Sequence, residues 1–135
     1  MCLLDRVENW NDASIRCVAS SHRRADNPLR AQGRLAAACG IEYAAQAMAI
    51  HGALLLPDGA PPARGYLTSV RNVVLHRARL DDIAADLLIR VERLSGDENS
   101  VLYEFAVSGA ERLLLDGRAS VVLNAGTRRA IFPGA

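Results

Sequence analysis

From about Ala36 to Leu56 the chain is rich in alanine and apolar throughout, and Glu42 is its one formally charged residue. Pro57-Asp58-Gly59-Ala60-Pro61-Pro62 then stops any helix. No other stretch reads as helical. A helix that is apolar on every side has to be buried, and a chain with a single such helix must supply the wrapping from something else. Buried carboxylates are rare without a reason, and desolvation favours their protonated form. Glu42, near the start of this helix, is therefore the first candidate for chemistry. Gln46 lies one turn further on the same face.

The wrapping is legible on both sides of the helix. Met1 to Trp10 reads as a strand carrying Leu3, Leu4, Val7 and Trp10, with Asn11-Asp12 as a turn. Ala13 to Ser20 reads as a second strand, with Ile15, Cys17 and Ala19 on one face. Ser21 to Gly33 is polar, rich in arginine and reads as a loop. After the proline-rich break, Tyr66 to Arg77 is extended. Leu87 to Leu94 alternates Leu87, Ile89 and Val91 with Leu88, Arg90 and Glu92. Val101 to Val107 and Arg112 to Leu123 form a closing hairpin, with a bulge expected at Asp116-Gly117. Hairpin-like spacing implies an antiparallel sheet. The predicted fold is α+β: one curved antiparallel sheet wrapped around one long central helix, in a single domain over residues 1–135. Small residues such as Ala44, Ala45, Ala47 and Ala49 let the sheet approach the helix closely.

Composition removes several function classes. The net charge is +1 and half of the 135 residues are hydrophobic, which argues against disorder and against a dedicated nucleic-acid binder. All sixteen basic residues are arginine. Without lysine there is no Schiff-base chemistry and no phosphate-loop lysine. Cys2, Cys17 and Cys39 are widely spaced, form no Cys-x-x-Cys pair, and are expected to be reduced and mostly buried. Asp81-Asp82 has no histidine nearby in sequence, so no metal site is expected. No apolar stretch reaches membrane-spanning length and no signal peptide is evident, so a cytoplasmic protein is the expectation.

Several motifs in order carry a resemblance. Leu3-Leu4-Asp5-Arg6-Val7, Glu42-Tyr43-Ala44-Ala45-Gln46-Ala47, Gly65 to Val73 and Gly117 to Leu123 together resemble the hotdog-fold 3-hydroxyacyl-acyl-carrier-protein dehydratases. The helix motif Gly-Ile-Glu-Tyr-x-Ala-Gln is similar to that of a divergent branch, some members of which accompany aryl-polyene or related polyketide-like pathways. Relatives commonly carry a Pro-His-Arg segment ahead of the Leu-Leu-Asp-Arg-Val run; here Met1 and Cys2 precede Leu3.

The resemblance implies a hotdog fold and removal of water from a 3-hydroxyacyl thioester, held on acyl carrier protein or on CoA. It implies a histidine in the loop before the helix as base, which falls on His22, and the helix carboxyl group as acid, which falls on Glu42. Gly40, Ile41 and Gln46 then lie against the substrate, with the helix start polarising the thioester carbonyl. The family loop reads Gly-His-Phe-Pro and leads to Pro-Gly before the helix. This chain has Ser21-His22-Arg23-Arg24, a longer gap, and Ala37-Ala38 in place of Pro-Gly. The bland alternatives are a solvated loop histidine at His22 and a core amide stapling helix to sheet at Gln46. His51 is out of phase with Glu42 and reads as structural, and His76 as exposed.

Arg23, Arg24, Arg30 and Arg34 cluster around the pre-helix loop, where they suit docking of an acidic carrier protein. No cofactor is expected apart from phosphopantetheine as part of the substrate carrier. Such sites lie between two subunits, so a homodimer, or a heterodimer with a paralogous dehydratase, is expected. Two other readings keep the fold: an acyl thioesterase, and a non-catalytic partner of an active paralogue.

Overall fold

The computed structural model describes residues 2–57, 64–97 and 99–124. Six strands form one antiparallel sheet around one helix. In chain order these are β1 (Arg6–Trp10), β2 (Ser14–Ala19), α1 (Gly40–Leu54), β3 (Arg64–Leu75), β4 (Leu87–Gly96), β5 (Ser100–Gly109) and β6 (Arg112–Asn124). The sheet order is β1-β2-β4-β5-β6-β3, so β1 and β3 are its two edges.

The core follows the alternation read in the sequence. Ile15 and Cys17 of β2, Leu87, Ile89 and Val91 of β4, Tyr103, Phe105 and Val107 of β5, and Leu115 and Ala119 of β6 are all buried. Against them α1 buries Tyr43, Ala44, Ala47, Met48 and His51. That spacing marks one helical stripe, so the sheet covers one side of α1. Gly40 shows how closely sheet and helix approach: a Cβ there would stand 2.6 Å from Leu115 Cδ2.

Three local features differ from the sequence reading. Leu3 and Leu4 are buried ahead of β1, whereas β1 itself is exposed along its length, as an edge strand can be. The helix begins at Gly40, because Ala37–Cys39 forms a tighter 3₁₀ turn. The N–H groups of Leu35 and Ala37 leave the helical direction to bond Asp81 Oδ1 and the Ala78 carbonyl. In the closing hairpin the extra residue is Leu114 of β6, and at Asp116-Gly117 the irregularity belongs to β3, one strand over. There Asn72 and Val73 together oppose Gly117, and Asn72 takes a φ of 55°. Gly117 makes the room, since a Cβ there would stand 2.9 Å from Phe105 and 3.0 Å from Val73.

Candidate active site

β2 ends at Ala19, and Ser21–Arg23 then forms a single 3₁₀ turn inside the segment expected to be loop. The turn carries His22 inward, with none of its surface exposed. His22 is thus not the solvated loop residue of the bland reading. Its Nε2 lies 2.9 Å from the Ile83 carbonyl oxygen. A carbonyl only accepts, so Nε2 carries the proton and, in the neutral ring, Nδ1 holds the lone pair. Whichever nitrogen faces Ile83, the other is left basic. Nδ1 is buried and has no hydrogen-bond partner. Burial lowers the His22 pKa below its usual range, with the nearby carbonyls of Ile83 and Ala85 pulling the other way. The ring is therefore neutral near pH 7, with a free lone pair.

Arg30 closes over this segment. Its Nη2 donates to the His22 carbonyl at 3.2 Å and its Nη1 to Gly33 at 3.1 Å, while Nε is buried without a partner. His22 Nδ1, an acceptor, and Arg30 Nε, a donor, are the two buried side-chain atoms left unpartnered among the described residues. Such groups call for an explanation, and a functional site is a standard one.

Glu42 sits in the first turn of α1. Its side chain is exposed in the single chain, which corrects the expectation of a buried acid. The sheet covers the Tyr43–Ala44–Ala47 side of the helix and leaves the Glu42 side open. Gln46 does not need Glu42 as its partner: its Oε1 accepts the Leu3 N–H at 2.8 Å, stapling the segment before β1 to the helix. Gly40 is buried and Ile41 half-buried. The helix start offers fewer free donors than expected, because the N–H groups of Ala37, Cys39 and Gly40 already bond the Ala78, Ala36 and Ala37 carbonyls.

A chain of buried hydrogen bonds ties the turn that bears His22 to the first turn of α1. Ser21 precedes His22, and Tyr43 follows Glu42. Asn27 Nδ2 donates to Tyr43 Oη at 3.0 Å, Tyr43 donates to Ser21 Oγ at 2.7 Å, and Ser21 donates to the Leu3 carbonyl at 2.8 Å. Asn27 Nδ2 also donates to the Ser21 carbonyl at 2.9 Å. Burial pushes the Tyr43 phenol up, so it stays protonated and able to donate. The 3₁₀ turn bearing His22 is thereby docked on the first turn of α1. Sequence reasoning missed Ser21, Asn27 and Tyr43. The one available signal was a tyrosine beside the acid on an otherwise small-residue helix.

The four arginines do not act alike. Arg23 donates to the Ala84 carbonyl at 2.8 Å and to Asp86 at 2.7 Å, and Arg24 pairs with Asp26 at 2.9 Å. Arg30 is turned inward, and Arg34 is exposed. His51 is structural, buried between Tyr103 and the Asn11 carbonyl, and exposed His76 pairs with Asp116 at 2.9 Å. Asp81 is held by Arg79 and by the Leu35 N–H, and Asp82 lies 3.6 Å from Arg77. All three cysteines are free; Cys17 is buried, Cys39 half-buried and Cys2 exposed, against the expectation of general burial.

A family model of ApeP-like proteins, described as ApeP dehydratase, matches residues 1–131. The chain belongs to the ApeP-like dehydratase family. Among solved structures, it is similar to the dehydratase heterocomplex ApeI:P from Xenorhabdus doucetiae, with a TM-score of 0.80, 24% identity, and 98% of this chain and 90% of that chain covered. A thioesterase from Haemophilus influenzae matches with a TM-score of 0.65 at 13% identity, over 87% of this chain and 76% of that one. A variant thioesterase from Pseudomonas aeruginosa gives 0.65 at 14% identity, over 87% and 79%. These likenesses establish the hotdog fold, which dehydratases and thioesterases share. No curated protein matches the sequence. Among the described residues, no helix is long and apolar enough to cross a membrane.

Proposed function

We propose that this chain takes part in removing water from a 3-hydroxyacyl thioester carried by acyl carrier protein. The observation that carries the reading is the buried, neutral imidazole of His22, whose basic nitrogen has no hydrogen-bond partner among the described residues. The His22 lone pair takes a proton from C2. The C3–O bond breaks as Glu42 gives its proton to the departing hydroxyl, which leaves as water. The electron pair of the former C2–H bond becomes the C2=C3 double bond. A proton passed from His22 back to Glu42 resets the site.

A second subunit is part of this reading. β3 is an edge strand and exposes Leu67, Val74 and Leu75, the kind of edge that another chain covers. The likeness to a heterocomplex supports a paralogous hotdog partner, with histidine and acid of one site coming from opposite subunits. Arg34, with part of the Arg23 and Arg24 charge, faces the carrier protein.

The complete burial of His22 in the single chain favours one second reading, a non-catalytic partner that stabilises an active paralogue. One experiment separates the readings. The purified chain, alone and with its paralogue, is given 3-hydroxyacyl-carrier protein, and enoyl product and free thiol are followed. Dehydration lost in both His22→Ala and Glu42→Gln supports the proposal. Full activity of the complex with His22→Ala supports the partner role. Thiol release without enoyl product makes it a thioesterase.

A further inference from the structure

The connection between β3 and β4 lies outside every strand and helix, yet it meets both the start of α1 and the turn that bears His22. Residues 35–37, just ahead of α1, run antiparallel to residues 78–80. Ala36 pairs with Arg79, the Ala37 N–H donates to the Ala78 carbonyl at 3.0 Å, and the Leu80 N–H donates to the Leu35 carbonyl at 2.8 Å. A few residues on, Ile83 presents its carbonyl to His22 Nε2 at 2.9 Å. Arg23 donates to the Ala84 carbonyl at 2.8 Å and to Asp86 at 2.7 Å. One continuous stretch, 78–86, thus holds the approach to α1 at one end and the His22 turn at the other.

The adjacent acids Asp81 and Asp82 differ. Asp82 is exposed, whereas the Asp81 side chain is only 7% exposed. Asp81 Oδ1 accepts from the Leu35 N–H at 2.9 Å and from Arg79 Nε at 3.0 Å, and Arg79 Nη2 bonds Oδ2. Arg79 foremost, and the Leu35 N–H after it, hold the carboxyl well below the usual carboxylate range against the pull of burial. Asp81 is therefore ionised at neutral pH, and an N–H bonded to a buried carboxylate is a strong, directional tie. It fixes the chain at Leu35, from which the 3₁₀ turn, Gly40 and Glu42 follow.

The link between the two ends is short and pinned. Asp81 and Ile83 are two residues apart, at most about 7 Å of chain. The Ile83 N–H bonds the Leu80 carbonyl at 3.0 Å and closes this stretch into a turn. Leu80 and Ile83 are buried, and Gly109 makes room for Ile83, whose Cγ2 lies 2.9 Å from where a Gly109 Cβ would stand.

We propose that the 78–86 segment sets where His22 stands relative to the start of α1, and that Asp81 is the positioning residue at its helix end. In a site shared between subunits, the spacing of His22 and Glu42 within each chain sets where each meets its opposite number in the partner. That bearing on catalysis rests on the dehydration reading; the placement does not, and its test needs no turnover. The probes are two buried ring N–H groups in the full chain labelled with ¹⁵N-histidine. One is His22 Nε2–H on the Ile83 carbonyl, and the other is His51 Nε2–H, which donates to the Asn11 carbonyl at 2.8 Å. Hydrogen exchange at His22 reads local opening, and His51 reports on the rest of the core.

In Asp81→Leu, exchange at His22 should quicken at least about tenfold while His51 stays within about twofold of the parent. Asp81→Asn, which keeps an oxygen for the Leu35 N–H, should stay within about threefold of the parent at both. Arg23→Met loosens the other end from the surface, and the Leu35 backbone N–H should then exchange at least about tenfold faster. With the paralogue and 3-hydroxyacyl-carrier protein, Asp81→Leu should lower kcat about ten- to a hundredfold with KM within about twofold, because a misplacement of about 1 Å costs that much. Exchange at His22 that stays unchanged in Asp81→Leu, or that rises in step with His51, would overturn the proposal. So would Asp81→Asn exchanging as fast as Asp81→Leu, or an unchanged Leu35 N–H in Arg23→Met. An unchanged kcat in Asp81→Leu beside an active parent would overturn the positioning role. A parent without dehydration would sink the dehydration reading alone, and exchange would still decide the placement.

Discussion

Tyr43→Phe removes one oxygen from a buried polar cluster that joins three segments of the chain. The ring stays, so packing against the sheet is retained. Two hydrogen bonds go, at 2.7 Å to Ser21 and at 3.0 Å from Asn27. Ser21 keeps its own acceptor in the Leu3 carbonyl and is left satisfied. Asn27 keeps one Nδ2 bond to the Ser21 carbonyl, but its other N–H is stranded where only 3% of the residue is exposed. The lost bond costs about 1 kcal/mol and the stranded donor about 1–3 more, for a total of about 2–4 kcal/mol. With an unfolding entropy of about 2.1 cal/mol/K per residue, a chain of this length shifts by about 3–4 °C per kcal/mol, so the midpoint should drop by roughly 7–14 °C. Thermal melts at one fixed protein concentration measure this, since association shifts apparent stability. Ser21→Ala combined with Tyr43→Phe should cost less than the two single changes added together, because both break the same bond. Strict additivity, or a Tyr43→Phe midpoint within a degree or two of the parent, would refute the reasoning that this chain docks the His22 turn on α1.

Three further outcomes follow from the same structure. Burial holds the His22 pKa below its usual 6.5, so as pH falls through that value the unfolded chain takes up a proton that the folded chain refuses, and stability declines from there toward the folded pKa. Urea midpoints on either side of pH 6.5 should fall less steeply for His22→Gln than for the parent; equal slopes would show that His22 is not held neutral. Glu42→Gln should leave the unfolding free energy of the single chain within about 0.5 kcal/mol of the parent, since Glu42 is exposed there, while abolishing any dehydration; a large loss of stability would make it a structural residue. Ala110 and Glu111 both adopt left-handed φ values, 51° and 63°, in the two-residue turn between β5 and β6. Replacing them with Asn and Gly should stabilise the chain by about 1–3 kcal/mol in chemical denaturation, because that turn geometry strains residues with larger side chains.

The same turn shows where reading from sequence stops. A hairpin at 107–112 was legible from the strand pattern, but Ala-Glu gives no sign of a turn that ordinarily takes Asn-Gly. The strands of the core were legible because Ile89, Val91, Tyr103, Phe105 and Val107 alternate, and alternation reports which face is covered. The helix start was misplaced by a few residues, because its limit is set by Asp81 and Ala78, some forty residues downstream. The Asn27–Tyr43–Ser21 chain draws on three separate segments, and no spacing rule joins them. His22 was legible as a candidate only by resemblance, since its burial and the Ile83 carbonyl that it faces exist only once β2 and the 80–86 segment meet.

Glu42 is the instructive disagreement. The sequence says that an apolar helix must be covered on all sides, whereas one sheet covers one side and leaves Glu42 in solvent. Both statements hold if a second surface belongs on that side. The exposed Leu67, Val74 and Leu75 on edge strand β3 are the same kind of unfinished surface. The helix calls for a covering that this chain's own sheet does not provide, a surface that a second subunit, identical or paralogous, can cover.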